Sequence, residues 1–182
     1  MRTTDPVHRA MSDLHEAVAP DLLRYFLRRV SSPEDAADLL AESFYVAWRR
    51  KSRLPVDASE QRMWMFGIAH NVLRNGMRAA RRQAALAAEL RETLTLSPQA
   101  VHDSGGEARE RVRAALEELP ADQAELVRLI HWEGFTVIEA ARILSVREST
   151  ARGRYQRARL TLRVSLAESV GDFSAQVTSK AR

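Results

Sequence analysis

Apolar residues return every three or four positions in several segments between about residue 20 and about residue 167, and none of the chain shows the apolar–polar alternation of a half-buried strand. That period admits helices and excludes a sheet. Breakers are few, with 7 Gly and 6 Pro in 182 residues, which suits a mostly helical chain. No cysteine is present, so disulfide frameworks and thiolate metal sites are excluded. The fold class expected is all-α: two small helical domains joined by a flexible linker.

The first helix is expected over about 20–30, with Pro20 at a first helical position and Leu22, Leu23, Phe26, Leu27 and Val30 on one face. Ser32 then caps a second helix that has Pro33 in its first turn. This helix carries Ala36, Leu39, Leu40, Phe44, Ala47 and Trp48 and ends in Arg49-Arg50-Lys51. After the loop Leu54-Pro55-Val56-Asp57, a long helix runs from about 59 to 82, with Trp64, Ile68, Val72 and Met77 among its apolar positions and room to continue to residue 92. Ser97-Pro98 and Asp103-Ser104-Gly105-Gly106 mark a linker. Beyond it, helices are expected over 111–119, from Pro120 to Trp132 with a stop at Gly134, and from about 148 to 167. The expected divisions are 10–92, a linker at 93–108, 109–167 and a short tail at 168–182.

The charge follows the same divisions. Residues 20–82 hold 12 basic and 7 acidic side chains, net +5, and residues 109–163 hold 11 and 8, net +3. Residues 83–108 between them hold one Arg against four acids, net −3. Two basic modules around an acidic connector point to a polyanionic partner. Arg supplies nearly all the positive charge, and its planar fork suits phosphate and guanine.

Thr136-x-x-Glu139 is a capping box. The short helix it opens, a turn at Ser145-Val146-Arg147 and a long basic helix form a helix-turn-helix pattern. Ala141 sits where the two helices cross, with Ile138, Ile143 and Leu144 as core from the first and Ala151, Tyr155, Ala158 and Leu162 from the second. Arg152, Arg154, Arg157, Arg159 and Arg163 are opposed only by Glu148. A projecting Arg-rich helix fits the major groove. In the first module, the run Trp64 to Asn71 is followed by Arg74, Arg78, Arg81 and Arg82 with no acid among them. Aromatics beside cations suit unpaired bases and their phosphates.

Together these segments resemble bacterial RNA polymerase sigma factors of the extracytoplasmic-function (ECF) group. Asp35 to Phe44 and on to Trp48 is similar to their polymerase-binding helix, and 64–82 to their promoter-melting, minus-ten helix. Leu116 to Pro120, Glu133 to Thr136 and the helix-turn-helix are similar to their minus-thirty-five domain. The resemblance implies a protein that binds core polymerase at its beta-prime clamp helices and beta flap, directs it to promoter DNA, and is held in check by an anti-sigma factor. It implies that Asp35, Asp38, Leu39 and Glu42 face polymerase and that the loop over 52–61 holds a flipped base. Trp64, Asn71, Arg74, Asn75, Arg78, Arg81 and Arg82 would meet the minus-ten strand. Arg152, Gly153, Gln156 and Arg157 would line the minus-thirty-five groove.

Some positions depart from the family pattern. Ala41 stands for a usual Gln, Asn75 for a common Asp, Ser145 for the usual turn Gly, and Arg147 for a capping Ser, while Gly153 removes a side chain from a base-facing position. No cofactor or metal is implied, because the five His are scattered and there is no phosphate loop or nucleophile elbow. An enzyme is therefore not expected. The remaining alternative is a helix-turn-helix regulator that never meets polymerase, and co-purification with core polymerase separates the two readings. With no apolar leader core and no run long enough to span a bilayer, the expected setting is cytoplasmic, without membrane insertion.

Overall fold

A computed structural model describes residues 6–91 and 107–180, with side chains over 6–83 and 110–167. The described elements are helices: α1 (Pro6–Leu27), α2 (Pro33–Arg49), a 3-10 turn (Lys51–Arg53), α3 (Ala58–Arg91), α4 (Glu107–Glu117), α5 (Ala121–His131), α6 (Val137–Ile143) and α7 (Glu148–Lys180). The chain forms two compact units, 1–101 and 102–182. The expected linker lies mostly outside the described residues; Glu107 and Ala108 belong to α4. Among the described residues, no helix is long and apolar enough to cross a membrane.

In the first unit α1, α2 and α3 pack pairwise on one another. Leu22, Tyr25, Phe26, Met65 and Phe66 are fully buried at its centre, with Tyr25 edge-on to Phe26 and Phe66 at 5.2 and 5.4 Å. α2 comes in close because its innermost residues, Ala36, Ser43 and Ala47, are small. The buried Ser43 hydroxyl donates to the Leu39 carbonyl at 2.7 Å, which removes the cost of an unpaired polar group. A Cβ built on Gly76 of α3 would come within 3.3 Å of Leu39 Cδ2, so this mid-helix glycine lets α3 lie against α2. Ser32 caps α2 by accepting from the Glu34 and Asp35 amides.

The structure corrects the start of α1. Pro20 lies inside a helix that begins at Pro6. A proline there loses one backbone hydrogen bond, but Pro20 is exposed, so water can reach the freed carbonyl. The extra turns are held by Met11, Leu14 and Val18 and by His8 and His15, whose rings meet Trp48 and Phe44 at 4.7 and 4.5 Å. α1 also ends at Leu27, before Val30, with Leu27 exposed. Met77 is exposed as well.

In the second unit α4 and α5 pack on α7 through Leu116, Leu119, Ala124, Val127 and Ala158, flanked by Tyr155 and Leu162. α6 packs on both α5 and α7. The capping box forms: the Thr136 amide donates to Glu139 Oε2 at 2.7 Å and the Glu139 amide to Thr136 Oγ1 at 3.2 Å. Ala140, Ala141 and Ile143 face inward. Ile138 does not; it lies on the outer side of this two-turn helix and is 43% exposed. α7 continues to Lys180 rather than stopping near 167, since no proline follows and Gly171 alone costs only about 1 kcal/mol.

The turn between α6 and α7 is a Schellman motif. The Ser145 amide donates to the Arg142 carbonyl at 3.1 Å and the Val146 amide to the Ala141 carbonyl at 3.0 Å. Ser145 takes φ +55°, the one positive φ of a non-glycine among the described residues. A side chain in that region is strained by roughly 1 kcal/mol. Ser145→Gly should therefore slow hydrogen exchange of the α6 and α7 amides about two- to fivefold, matching roughly 0.5–1 kcal/mol of added stability. Unchanged or faster exchange would show that the serine hydroxyl compensates for the strain.

Candidate nucleic-acid interface

Burial of one side of α3 determines what the other side presents. With Met65, Phe66, Ala69, Val72 and Leu73 turned inward, Asn71, Arg74, Asn75, Arg78, Arg81 and Arg82 are all exposed. At 100° per residue they occupy about one third of the circumference. No described carboxylate pairs with the four arginines of this strip. Asn71 Nδ2 donates to the Gly67 carbonyl at 2.8 Å, which holds its amide against the helix. Trp64, about two turns before Asn71, is half-buried. Phe66 belongs wholly to the core and presents nothing to a ligand.

The loop before α3 is pinned at both ends. Gln61 Nε2 donates to the Pro55 carbonyl at 2.9 Å. Asp57 accepts from the Ser59 and Glu60 amides at 2.9 and 3.1 Å and from the Ser59 hydroxyl, so its carboxyl lies below the usual range, chiefly through the Ser59 side chain. Between these anchors Val56 is completely exposed. Periodicity offers no signal for such a residue.

On α2, Asp35, Asp38 and Glu42 are exposed on one face at spacings of three and four. Leu39 is instead half-buried against Gly76. Tyr45, three residues beyond Glu42, extends the exposed face and is 60% accessible, with the Arg49 guanidinium 5.9 Å from its ring centre. Its place three positions after Glu42 was the available signal.

In the second unit α7 sorts its arginines. Arg152, Gln156 and Arg157 are exposed and Gly153 is half-exposed. Arg152 pairs with Glu148 one turn back. Arg154 does not share the outward face: its Nε reaches Asp122 of α5 at 2.9 Å, tying α7 into the domain. A Cβ at Gly153 would meet only Arg157 Nη1, at 3.7 Å, so the fold does not need glycine there. These positions and those of α3 lie in different units, each an outward cationic helical face.

Comparison with known proteins follows this division. Residues 14–83 match the family model described as Sigma-70 region 2, and residues 109–162 match Sigma-70, region 4. The chain is 27% identical to the ECF RNA polymerase sigma factor SigL of Mycobacterium tuberculosis, over 88% of this chain and 89% of that protein. It is 29% identical to the ECF RNA polymerase sigma factor EcfG of Rhodopseudomonas palustris, over 97% and 96%. Among solved structures it is similar to the sigma factor RpoE of Bartonella quintana, in complex with the anti-sigma factor NepR. That match has a TM-score of 0.64 and 25% identity, over 87% of this chain and 98% of that one. CnrH, in complex with the cytosolic domain of CnrY, has a TM-score of 0.60 at 24% identity, over 88% and 89%.

The sorting of arginines yields a test. Glu148→Gln frees Arg152 for an anion and removes a carboxylate from a helix start that would approach phosphate. Affinity for duplex DNA in a fluorescence titration should rise about two- to fivefold at low salt, the range of an exposed pair, and the gain should shrink as salt is added. A loss of affinity would mean that Glu148 positions Arg152 rather than competing for it.

Proposed function

The chain belongs to the sigma-70 family, in its ECF group, and from that membership we propose how its surfaces divide the work of initiation. The α2 face of Asp35, Asp38, Glu42 and Tyr45 docks on the beta-prime clamp helices of core RNA polymerase, with Leu39 at its inner edge. Asn71, Arg74, Asn75, Arg78, Arg81 and Arg82 hold the melted minus-ten strand, with Trp64 and the pinned loop around Val56 beside it. Arg152, Gln156 and Arg157 enter the minus-thirty-five major groove, and Gly153 leaves room for the base pairs. The second unit also meets the beta flap. The protein is a transcription regulator rather than a catalyst, and its place of action is the cytoplasm, where the polymerase is.

The observation that carries this reading is the α3 strip. Four arginines lie on one helical face without a described counter-charge, beside a half-buried Trp64 and a loop that presents an apolar tip. Cations that track a backbone next to ring and apolar surfaces suit single-stranded nucleic acid, where bases stack and phosphates are neutralised. A duplex-only regulator has no use for a second such face, and none for an acidic helix next to it. Control by an anti-sigma factor is proposed on kinship with RpoE, which is solved with NepR.

Two outcomes are expected. Arg81→Ala with Arg82→Ala should reduce open-complex formation and lower its salt slope by about one unit per lost phosphate contact, with promoter preference retained. Full opening at an unchanged slope would contradict the assignment. Glu42→Arg should weaken assembly with core polymerase in a binding titration while circular dichroism keeps its helical signal. An unchanged core affinity would reduce the acidic face to a solvated stripe.

A further inference from the structure

The outward faces of α2 and α3 are built to one spacing. On α2, Asp35, Asp38, Glu42, Tyr45 and Arg49 are all exposed, and with Asp38 as zero they fall at about +60°, 0°, +40°, −20° and +20°. On α3, Arg81, Arg78, Arg74 and Asn71 are exposed and Gly67 half-exposed. With Arg74 as zero these fall at about −20°, +40°, 0°, +60° and +20°. Each set is a stripe about 80° wide and about 21 Å long. Read forward from Asp35 the steps are three, four, three and four residues, and read backward from Arg81 they are the same. Two helices laid antiparallel therefore bring Asp35 opposite Arg81, Asp38 opposite Arg78 and Glu42 opposite Arg74. Tyr45 comes opposite Asn71, and Arg49, the only basic residue of α2, opposite the bare backbone of Gly67. The exposed Glu34 and Arg82 flank the stripes at matching heights. No acid interrupts α3 from Gln61 to Arg82. Glu60, two turns beyond Gly67, lies toward Arg50 and Lys51 at the end of α2. Within one chain α2 meets α3 through Leu39 on Gly76, and Gly76 lies about 180° from the middle of the arginine stripe. The two stripes can meet only between copies.

We propose that the chain associates with a second copy of itself, the acidic stripe of α2 in one copy lying antiparallel on the arginine stripe of α3 in the other. A second copy fits because sign and spacing agree at every facing position, and a register displaced by one turn breaks that agreement. Tyr45, 60% accessible, leans toward the start of its own helix, which brings its ring over Arg74 of the facing helix. The two stripes differ, so the contact is head-to-tail. Exposed ion pairs contribute little each, so the association is weak, favoured by high concentration and dissolved by salt. It covers the polymerase-docking face of one copy and the minus-ten face of the other, which keeps unassembled protein off DNA until core polymerase or promoter displaces the contact. This consequence, though not the contact, rests on the proposed roles of the two faces.

Sedimentation velocity of the full chain tests the contact. In low salt the average mass of wild type should rise with concentration, and about 0.5 M salt, which screens charges beyond a few ångströms, should abolish the rise. Asp35→Arg with Asp38→Arg and Glu42→Arg should weaken self-association at least about tenfold, and so should Arg74→Glu with Arg78→Glu and Arg81→Glu. Circular dichroism should keep its helical signal in both. Mixed together, the two triple variants should associate at least as well as wild type, because each reversed stripe then meets its complement. A wild type that stays monomeric, a folded triple variant that still self-associates, or a mixture that does not associate overturns the proposal. The register is read separately, since the chain has no cysteine. Under oxidation, Glu42→Cys should cross-link to a size-tagged Arg74→Cys protein at least about fivefold faster than to a tagged Arg81→Cys protein, whose thiol lies about 10.5 Å along α3. Equal rates overturn the antiparallel register. Single-stranded minus-ten DNA should dissolve the wild-type associate. An associate that binds the strand and stays intact overturns the covering of the minus-ten face and the role given to the arginine stripe, whereas a wild type that binds the strand but never self-associates overturns the contact alone.

Discussion

Tyr25 of α1 and Phe66 of α3 meet edge to face at 5.4 Å with both rings fully buried, and the rotation of α3 about its own axis follows from that contact. A helix in a three-helix unit has one face to bury and leaves the other to solvent. Once Phe66 points inward, the residues at Arg74, Asn75, Arg78 and Arg82 point outward. Arg62 reinforces the setting: its guanidinium lies 4.9 Å from the Phe66 ring centre and bonds Asp21 of α1 at 3.3 Å. The ion pair is partly exposed and contributes little by itself, so the aromatic contact dominates. Gly76 then allows α2 to settle on α3 at Leu39, which sets the acidic face of α2 at the same time.

The second unit reaches the same result by different means. Its α6 is too short to hold an orientation by packing alone, so both ends are fixed by hydrogen bonds. The reciprocal Thr136–Glu139 pair closes the start and the Ser145 turn closes the end. A left-handed serine is the cost of that geometry without glycine. Arg154 and Asp122 then lock α7 against α5, leaving Arg152, Gln156 and Arg157 on the free side.

What could be read from the chain was whatever depends on neighbours in sequence. The all-helical class, the Ser32 cap and the capping box are local, and each has its own residue signature, whereas the turn at Ser145 was signalled only by the glycine usual at that position in the family. The missed features depend on distant partners. α1 was read too short because Pro20 looks like a start, and because His8 and His15 reveal only in the fold that they serve as ring partners for Trp48 and Phe44. Arg152 and Arg154 are the same residue type about 200° apart on one helix, and it takes Asp122 on another helix to show which of the two sides is turned inward. Ile138 looks like core by composition, yet a two-turn helix has too little inward surface for it. Val56 carries no periodic signal and stands out between the hydrogen-bonded anchors at Pro55 and Asp57.

The central claim is that two cationic faces and one acidic face, positioned by two small cores, serve a single act of promoter opening. Run-off transcription from a genomic promoter library, with purified core polymerase and this protein, tests it most directly. The account predicts transcripts absent with core alone, starting downstream of sites that share both a minus-thirty-five and a minus-ten element. Transcription no higher than with core alone, or from sites that share no element, would contradict it.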